Sequence, residues 1–364
     1  EIKAESEAGL ATAFDEPEVR STPGAERADV YAEHRPHSRA PAGPRTEKRF
    51  VDAISDGLRQ GMEKHDRLVL MGQDIAEYGG VFKITQGFVE AFGRGRVRNT
   101  PICESAIIGI GLGLSLRGYK AMVEMQFADF VSCGFNQIVN NLAKLHYRWG
   151  ENADVVIRMP TGGGVGEGPF KSQSTEAWYT HTPGLKVVYP SNPQDAKGLL
   201  LASLEDPNPV LFFEHKGLYR SISAPVTDAY YTLEIGKAQV VRAGELVSII
   251  TYGMGVHWAQ RAVEEMAIDA EIVDLRTLLP LDYETIAATV RKTGKVLLLH
   301  EDTLTGGLGG ELAAYIAEHH FEQLDGPVIR VASEDTPVPF AVSLEQNFLP
   351  QQRLREKLAE LIAY

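Results

Sequence analysis

The stretch NTPICESAIIGIGLGLSLRGYKAMVEMQFADF (Asn99–Phe130) decides how the chain is read. VRNTPICE reads as strand and turn, SAIIGIGLGLSLRG as a helix whose small residues permit close packing, and YKAMVEMQ as the next strand. That strand is continuously apolar rather than alternating, as expected of a parallel sheet covered on both faces. Glu104 stands at the strand–helix junction between apolar neighbours. Two roles are open to it. One is a carboxylate favoured by the helix dipole. The other is a carboxylate held in an apolar pocket to exchange a proton with a bound group. QFADF puts Gln126, Asp129 and Phe130 where a strand gives way to a helix, which is where ligands bind in parallel sheets. Helix capping by Asp129 is the structural alternative.

Outward from this stretch the same alternation continues. RFVDAISDGLRQGMEKH has helical spacing, RLVLMG is a short buried strand, and TQGFVEAFG is a helix ended by glycine. FADFVSCGFNQIVNNLAKLHYRW is expected as one long helix. VVIRMP, KVVYP and PVLFFEH are three further strands, with the helix NPQDAKGLLLASLED among them. A second α/β unit begins near Tyr231, with strands in LVSIITYG, AEIVDLRT, TGKVLLLHED and GPVIRVAS. ISAPVTDAYYT links the units, and LPQQRLREKLAELIAY closes the chain as an amphipathic helix. Residues 1–46 are polar and rich in Pro, Ala and charge, as in a flexible tail or linker. One short helix is expected there near Ala4–Phe14, and DVYAE is the part made to dock.

The whole chain narrows the function. A net charge of -13 over 364 residues gives no footing for phosphate electrostatics, so nucleic acid is set aside. No apolar run approaches the roughly 20 residues that cross a bilayer, and no signal peptide is visible. Cys103 and Cys133 lie outside any zinc-type cluster, which fits a reducing compartment. The first residue is Glu, so the true start is expected upstream.

The glycine-rich loop TGGGVGEGPFKSQS (Thr161–Ser174) looks at first like a phosphate cradle. A P-loop needs its lysine directly after the second glycine. Here Pro169 and Phe170 separate Gly168 from Lys171, and proline has no amide to donate. A flexible glycine turn is the better reading. GIGLG (Gly109–Gly113) lies inside a helix, and TGGLGG (Thr305–Gly310) lacks the dinucleotide framing. His181, His300 and Glu301 remain candidates by position alone.

NTPICESAIIGIGLGLSLRG, EMQFADF, NQIVNNLAKLHYR, the run from SQSTEAW to SNPQDAKGLL, and EDPNPVLFFEHKGLYR together resemble the beta subunit of thiamine-diphosphate-dependent 2-oxo acid dehydrogenases. The resemblance runs from about Lys48 to Tyr364. It implies a transketolase-like pyrimidine-binding domain over 47–222 with a parallel sheet, then a transketolase C-terminal α/β domain over 223–364. It also implies roles. Glu104 matches the glutamate that hydrogen-bonds the aminopyrimidine of the cofactor. Ile102 and Phe130 match apolar walls around that ring, and Gln126 a polar neighbour. Branched-chain relatives carry potassium on this subunit, here at Ala153, Val155, Val156, Ser203, Asp206 and Asn208, largely through backbone carbonyls. The resemblance implies a mitochondrial-matrix or bacterial cytoplasmic enzyme, the bacterial case favoured. It implies an alpha partner in an alpha2beta2 assembly and a dihydrolipoyl acyltransferase core.

Two departures stand out. The family places a histidine where this chain has Lys171, just before SQS. Lysine can donate a proton when charged, but works as an acid/base near neutrality only when desolvated. Lys171 substitutes, or His181 does, or the enzyme is impaired. Nothing here matches the GDG…NN pattern that binds the diphosphate through magnesium, which the family carries on its alpha subunit. DVYAE resembles the end of an alpha subunit, so the chain is expected to be the second half of an alpha–beta fusion or to carry an unrelated leader. Two other functions compete: a non-catalytic assembly subunit, and another transketolase-family enzyme. The substrate expectation is a branched-chain 2-oxo acid, or pyruvate.

Overall fold

A computed structural model of the chain describes residues 1–36 and 39–364. The apolar runs become strands, and in chain order these are β1 (Arg45–Arg49), β2 (Leu68–Gly72), β3 (Val97–Asn99), β4 (Lys120–Glu124), β5 (Val155–Thr161), β6 (Lys186–Val188) and β7 (Val210–His215). They are followed by β8 (Ser223–Thr227), β9 (Gln239–Arg242), β10 (Val247–Thr251), β11 (Ala270–Asp274), β12 (Thr277–Leu279), β13 (Val296–Thr303) and β14 (Ile329–Ser333). One sheet has the order β12–β6–β7–β5–β4–β2–β3 and is parallel except where β12 pairs with β6. A second has the order β14–β13–β10–β11–β9, parallel except for β9. β1 and β8 form an antiparallel ribbon beside them. The fold is α/β with two mostly parallel sheets, as expected.

β2, β5 and β7 are buried along their full length because helices cover both faces of the sheet. Phe50–Lys64 and Pro193–Glu205 pack on one face around Leu58, Leu70, Leu200 and Phe212. Glu104–Leu116 packs on the other around Ile107, Val123 and Ile157. Close helix contact is built into the sequence: a Cβ on Gly61 would stand 2.5 Å from Leu204 Cδ1. The helix Pro193–Glu205 starts where its residues dictate, with Asn192 accepting from the Asp195 amide at 2.9 Å and proline in the first turn.

Three expectations need revision. The long helix after QFADF is not uniform. It runs as a 3₁₀ segment (Ala128–Gly134), wide π turns (Gln137–Leu142) and a short α-helix (Leu145–Trp149). Gly134 lies so close to the neighbouring helix that a Cβ there would be 2.3 Å from Ile108 Cδ1. RTEKR, exposed and charged, and SAPVT, short and without an apolar run, form strands that no apolar pattern announces. Thr277–Leu279, from the second half of the chain, adds an edge strand to the first sheet. In the tail, the helix expected near Ala4–Phe14 spans Ile2–Asp15 and buries no residue, and a second helix covers Pro23–Ala28. DVYAE docks: Tyr31 donates to the Leu185 carbonyl at 2.9 Å, and the Ala32 amide to Asn208 Oδ1 at 2.8 Å. Among the described residues no helix is long and apolar enough to cross a membrane.

Candidate active site

The parallel strands of the first sheet all end on one side, and Glu104, Gln126, Phe130 and Lys171 follow those strand ends. Glu104 is the first residue of its helix and is buried. Gln73, just past the end of β2, donates from Nε2 to Glu104 Oε1 at 3.1 Å. No other donor reaches this carboxylate among the described residues. Asp74, next to Gln73, has φ 58, a left-handed backbone uncommon outside glycine, and accepts from Gln126 Nε2 at 3.2 Å. Gln126 and Glu104 are thus tied to neighbouring residues at the end of β2. Phe127 meets Phe130 edge-on at 5.6 Å between ring centres, and Phe82 at 5.9 Å. Ile102 is 82% exposed and packs against little of this chain.

Lys171 is exposed, and its ammonium sits 5.2 Å from the centre of the Phe127 ring. Lys216 reaches the same ring at 4.9 Å, pairs with Glu167 at 2.5 Å and donates to the Lys171 carbonyl. The lysine loop is therefore brought to QFADF. Asp129 makes a second tie. It does not cap a helix; its Oδ1 accepts from Gln173 N at 3.2 Å and Gln173 Nε2 at 2.9 Å. Burial pushes the Asp129 carboxyl up, and the Gln173 bonds oppose that. His181 is exposed and lines a different cavity, with Leu278, Pro280 and Leu308. Ser172 and Ser174 line a cavity of their own with Glu301 and Asp302.

The glycine loop is an anion cradle after all, and its anions belong to the protein. Gly163 N donates to Glu301 Oε1 at 2.5 Å, Gly164 N to Glu345 Oε1 at 2.8 Å, and Gly166 N to Glu345 Oε2 at 3.1 Å. Glu301 also meets His215 Nε2 at 2.6 Å. Burial would raise the Glu301 carboxyl, but His215 and the Gly163 amide outweigh it and hold it below the ordinary carboxylate range. Sequence reading missed Gln73, His215 and Glu345, whose partners lie 31, 86 and 181 residues away.

Beneath the site, fully buried Arg158 on β5 binds Glu214 on β7 through Nε at 2.6 Å and Nη2 at 2.5 Å, and Glu124 on β4 through Nη1 at 2.6 Å. Tyr219 donates to Glu214 at 2.7 Å. Breaking one partner of such a set strands a buried charge, so the three strands keep a fixed spacing. Glu176 is fully buried and accepts from Tyr252 at 2.8 Å. Burial, with Asp302 nearby, pushes its carboxyl well up.

The polar side chains at the positions matched to potassium have partners within the protein. Asp206 Oδ2 pairs with Lys186 Nζ at 2.5 Å, and its Oδ1 accepts from Asn208 N and Nδ2, both at 2.9 Å. Asn208 is engaged on both sides by Ala32. The Ala153 carbonyl takes the Val155 amide at 2.7 Å, and Ser203 donates to the Leu199 carbonyl at 2.7 Å. Val156 lies inside β5 between β4 and β7. These side chains are engaged within the protein, so a potassium ion here would have to be held by backbone carbonyls, as the resemblance implies.

A site at the strand ends of this two-sheet frame defines the transketolase class. Two family models agree: the transketolase pyrimidine binding domain matches residues 47–221, and the transketolase C-terminal domain residues 236–353. A split-gene transketolase, solved as an inactive beta4 tetramer, superposes with a TM-score of 0.68 at 22% identity, covering 88% of this chain and 99% of that one. The 2-oxoisovalerate dehydrogenase subunit beta of Bacillus subtilis is 46% identical over 306 residues, 82% of this chain and 94% of its own length. The pyruvate dehydrogenase E1 component subunit beta of the same organism is 41% identical over 309 residues, 84% and 95%. The chain belongs to the family of 2-oxo acid dehydrogenase beta subunits.

Proposed function

We propose that this chain is the half of a thiamine-diphosphate-dependent 2-oxo acid dehydrogenase that holds the cofactor's pyrimidine, with Glu104 as its proton-handling carboxylate. The observation that carries this reading is the state of Glu104: buried, fixed by the single donor Gln73, and open to a further hydrogen bond. Phe130, Phe127 and Gln126 are the neighbours that would hold a flat ring beside it. When bound, the cofactor supplies an electron sink for loss of carbon dioxide from a 2-oxo acid. Glu104 holds the proton shared with the ring nitrogen, Gln73 orients Glu104, and the aromatic side chains exclude water. The acyl group would then pass to the lipoyl group of an acyltransferase core.

An alpha half is required on this reading, because it would bring the magnesium and the diphosphate site. Ile102 supports this: a wall residue 82% exposed lacks the surface it should face. The split-gene transketolase relative, inactive as a beta4 tetramer, is a parallel case. A branched-chain 2-oxo acid is the favoured substrate and pyruvate the alternative: relatives at 46% and 41% identity are named for 2-oxoisovalerate, and one at 41% for pyruvate.

The test reconstitutes the chain with an alpha subunit and measures carbon dioxide release from 2-oxoisovalerate and from pyruvate. Glu104→Gln should assemble normally and lose at least about 100-fold in turnover, the usual scale of a lost acid–base group. Full activity in that variant would sink the proposal. Preference for pyruvate would move the substrate and leave Glu104 in place.

A further inference from the structure

We propose that Glu345, on the short helix Val342–Phe348, is a positioning residue for the loop that presents Lys171. The loop leaves β5 at Gly162. Gly162, Gly164, Gly166 and Gly168 have φ of 96°, 79°, 74° and 70°, a left-handed backbone that turns successive amides toward one side. Such a nest attracts an anion, and the chain provides one. The two oxygens of Glu345 take the amides of Gly164 and Gly166 at 2.8 and 3.1 Å, while Glu301 takes Gly163. Glu345 is 3% exposed, so these charge-assisted bonds are shielded from water.

The other ties on the loop lie to either side of Gly164 and Gly166, at Gly163, Glu167 and Gln173. Val165 is 41% exposed and Phe170 71%, so neither side chain anchors the loop. The next tie, Lys216 on Glu167 and on the Lys171 carbonyl, acts on the backbone of Lys171 and leaves its ammonium free to point at the site. A carboxylate bound to two amides fixes two peptide planes together. Glu345 comes from the second half of the chain, so the far domain determines where Lys171 stands.

The kinetic part of this inference rests on the proposed function of the site; the structural part does not. The experiment uses the chain assembled with its alpha half and compares the natural protein with Glu345→Ala and Glu345→Gln. The first readout is the rate of tryptic cleavage after Lys171. Glu345→Ala should speed it about tenfold by opening the loop locally, with other tryptic sites and the unfolding midpoint unchanged. Glu345→Gln keeps one acceptor and should fall between. The second readout is the split of kinetic constants: kcat should fall in step with loop opening while KM for the 2-oxo acid stays within about twofold. Unchanged cleavage after Lys171 overturns the proposal, as does equal acceleration at every tryptic site, which is the mark of a general loss of stability. If Glu345→Ala does not assemble, the Gln variant carries the same comparison with the same overturning results. Loop opening without any change in kcat would refute the role assigned to Lys171 and leave the role of Glu345 in loop order intact.

Discussion

Lys171, which the resemblance sets at the place of a family histidine, has surroundings that show what it has to work with. Its side chain lies over the Phe127 ring, its carbonyl is held by Lys216, and the loop start is clamped by Glu301 and Glu345. That much structure around one side chain favours a working lysine over an accidental one. His181, the other candidate, lines a separate cavity. Lys171→Met is therefore expected to lower acyl transfer to a lipoyl acceptor by roughly 100-fold in the reconstituted enzyme. Unchanged transfer would move the task elsewhere. At this scale the sequence showed Glu104, Gln126, Phe130 and Lys171, because each sits in a short contiguous motif. It could not show Gln73, Glu301 or Glu345 as partners, because hydrogen bonds across the fold leave no local pattern. Asp129 looked like a helix cap for the same reason: its partner, Gln173, is 44 residues away.

Elements were more legible than contacts. Buried parallel strands read as apolar runs, and β2, β4, β5, β7, β10, β11 and β13 appear where such runs lie. β1, β8, β9 and β12 escaped because they are short, or exposed and polar on their surface. The end of β11 carries a charge-dependent feature. Asp274 is buried, accepts from Ser191 at 2.5 Å and from the Arg276 amide at 3.0 Å, and is pushed up to about 7 by burial and then by Asp195. A carboxyl raised on folding favours the folded state at low pH. Its contribution is lost as pH climbs from about 4 through about 7. Asp274→Asn keeps an acceptor and removes the ionisation. Urea unfolding between pH 5 and 8 should show the natural protein weakening with rising pH, and the variant weakening less. Parallel curves would mean that other groups carry the dependence.

The whole molecule joins three parts: two sheets with their helices and a leading segment. The leading segment is unevenly attached. Ile2–Asp15 and Pro23–Ala28 bury no residue, whereas Tyr31 and Ala32 bond to Leu185 and Asn208. Removing residues 1–28 should shift the Tm by no more than about 1 °C, and removing 1–33 should lower it by several degrees, since hydrogen bonds at buried sites are worth about 1 kcal/mol each. Equal Tm values for the two truncations would show that the docked segment contributes nothing.

β12 has a consequence for how such proteins can be recombined. Thr277–Leu279 lies in the part of the chain matched by the C-terminal family model, yet it forms the border of the first sheet, beside Lys186–Val188. The two halves are modules by sequence but share a seam in space. A chimera that takes its C-terminal half from a relative must also inherit a border strand that fits Lys186–Val188. Without that fit, the grafted protein would keep both folds and expose a raw sheet edge between them.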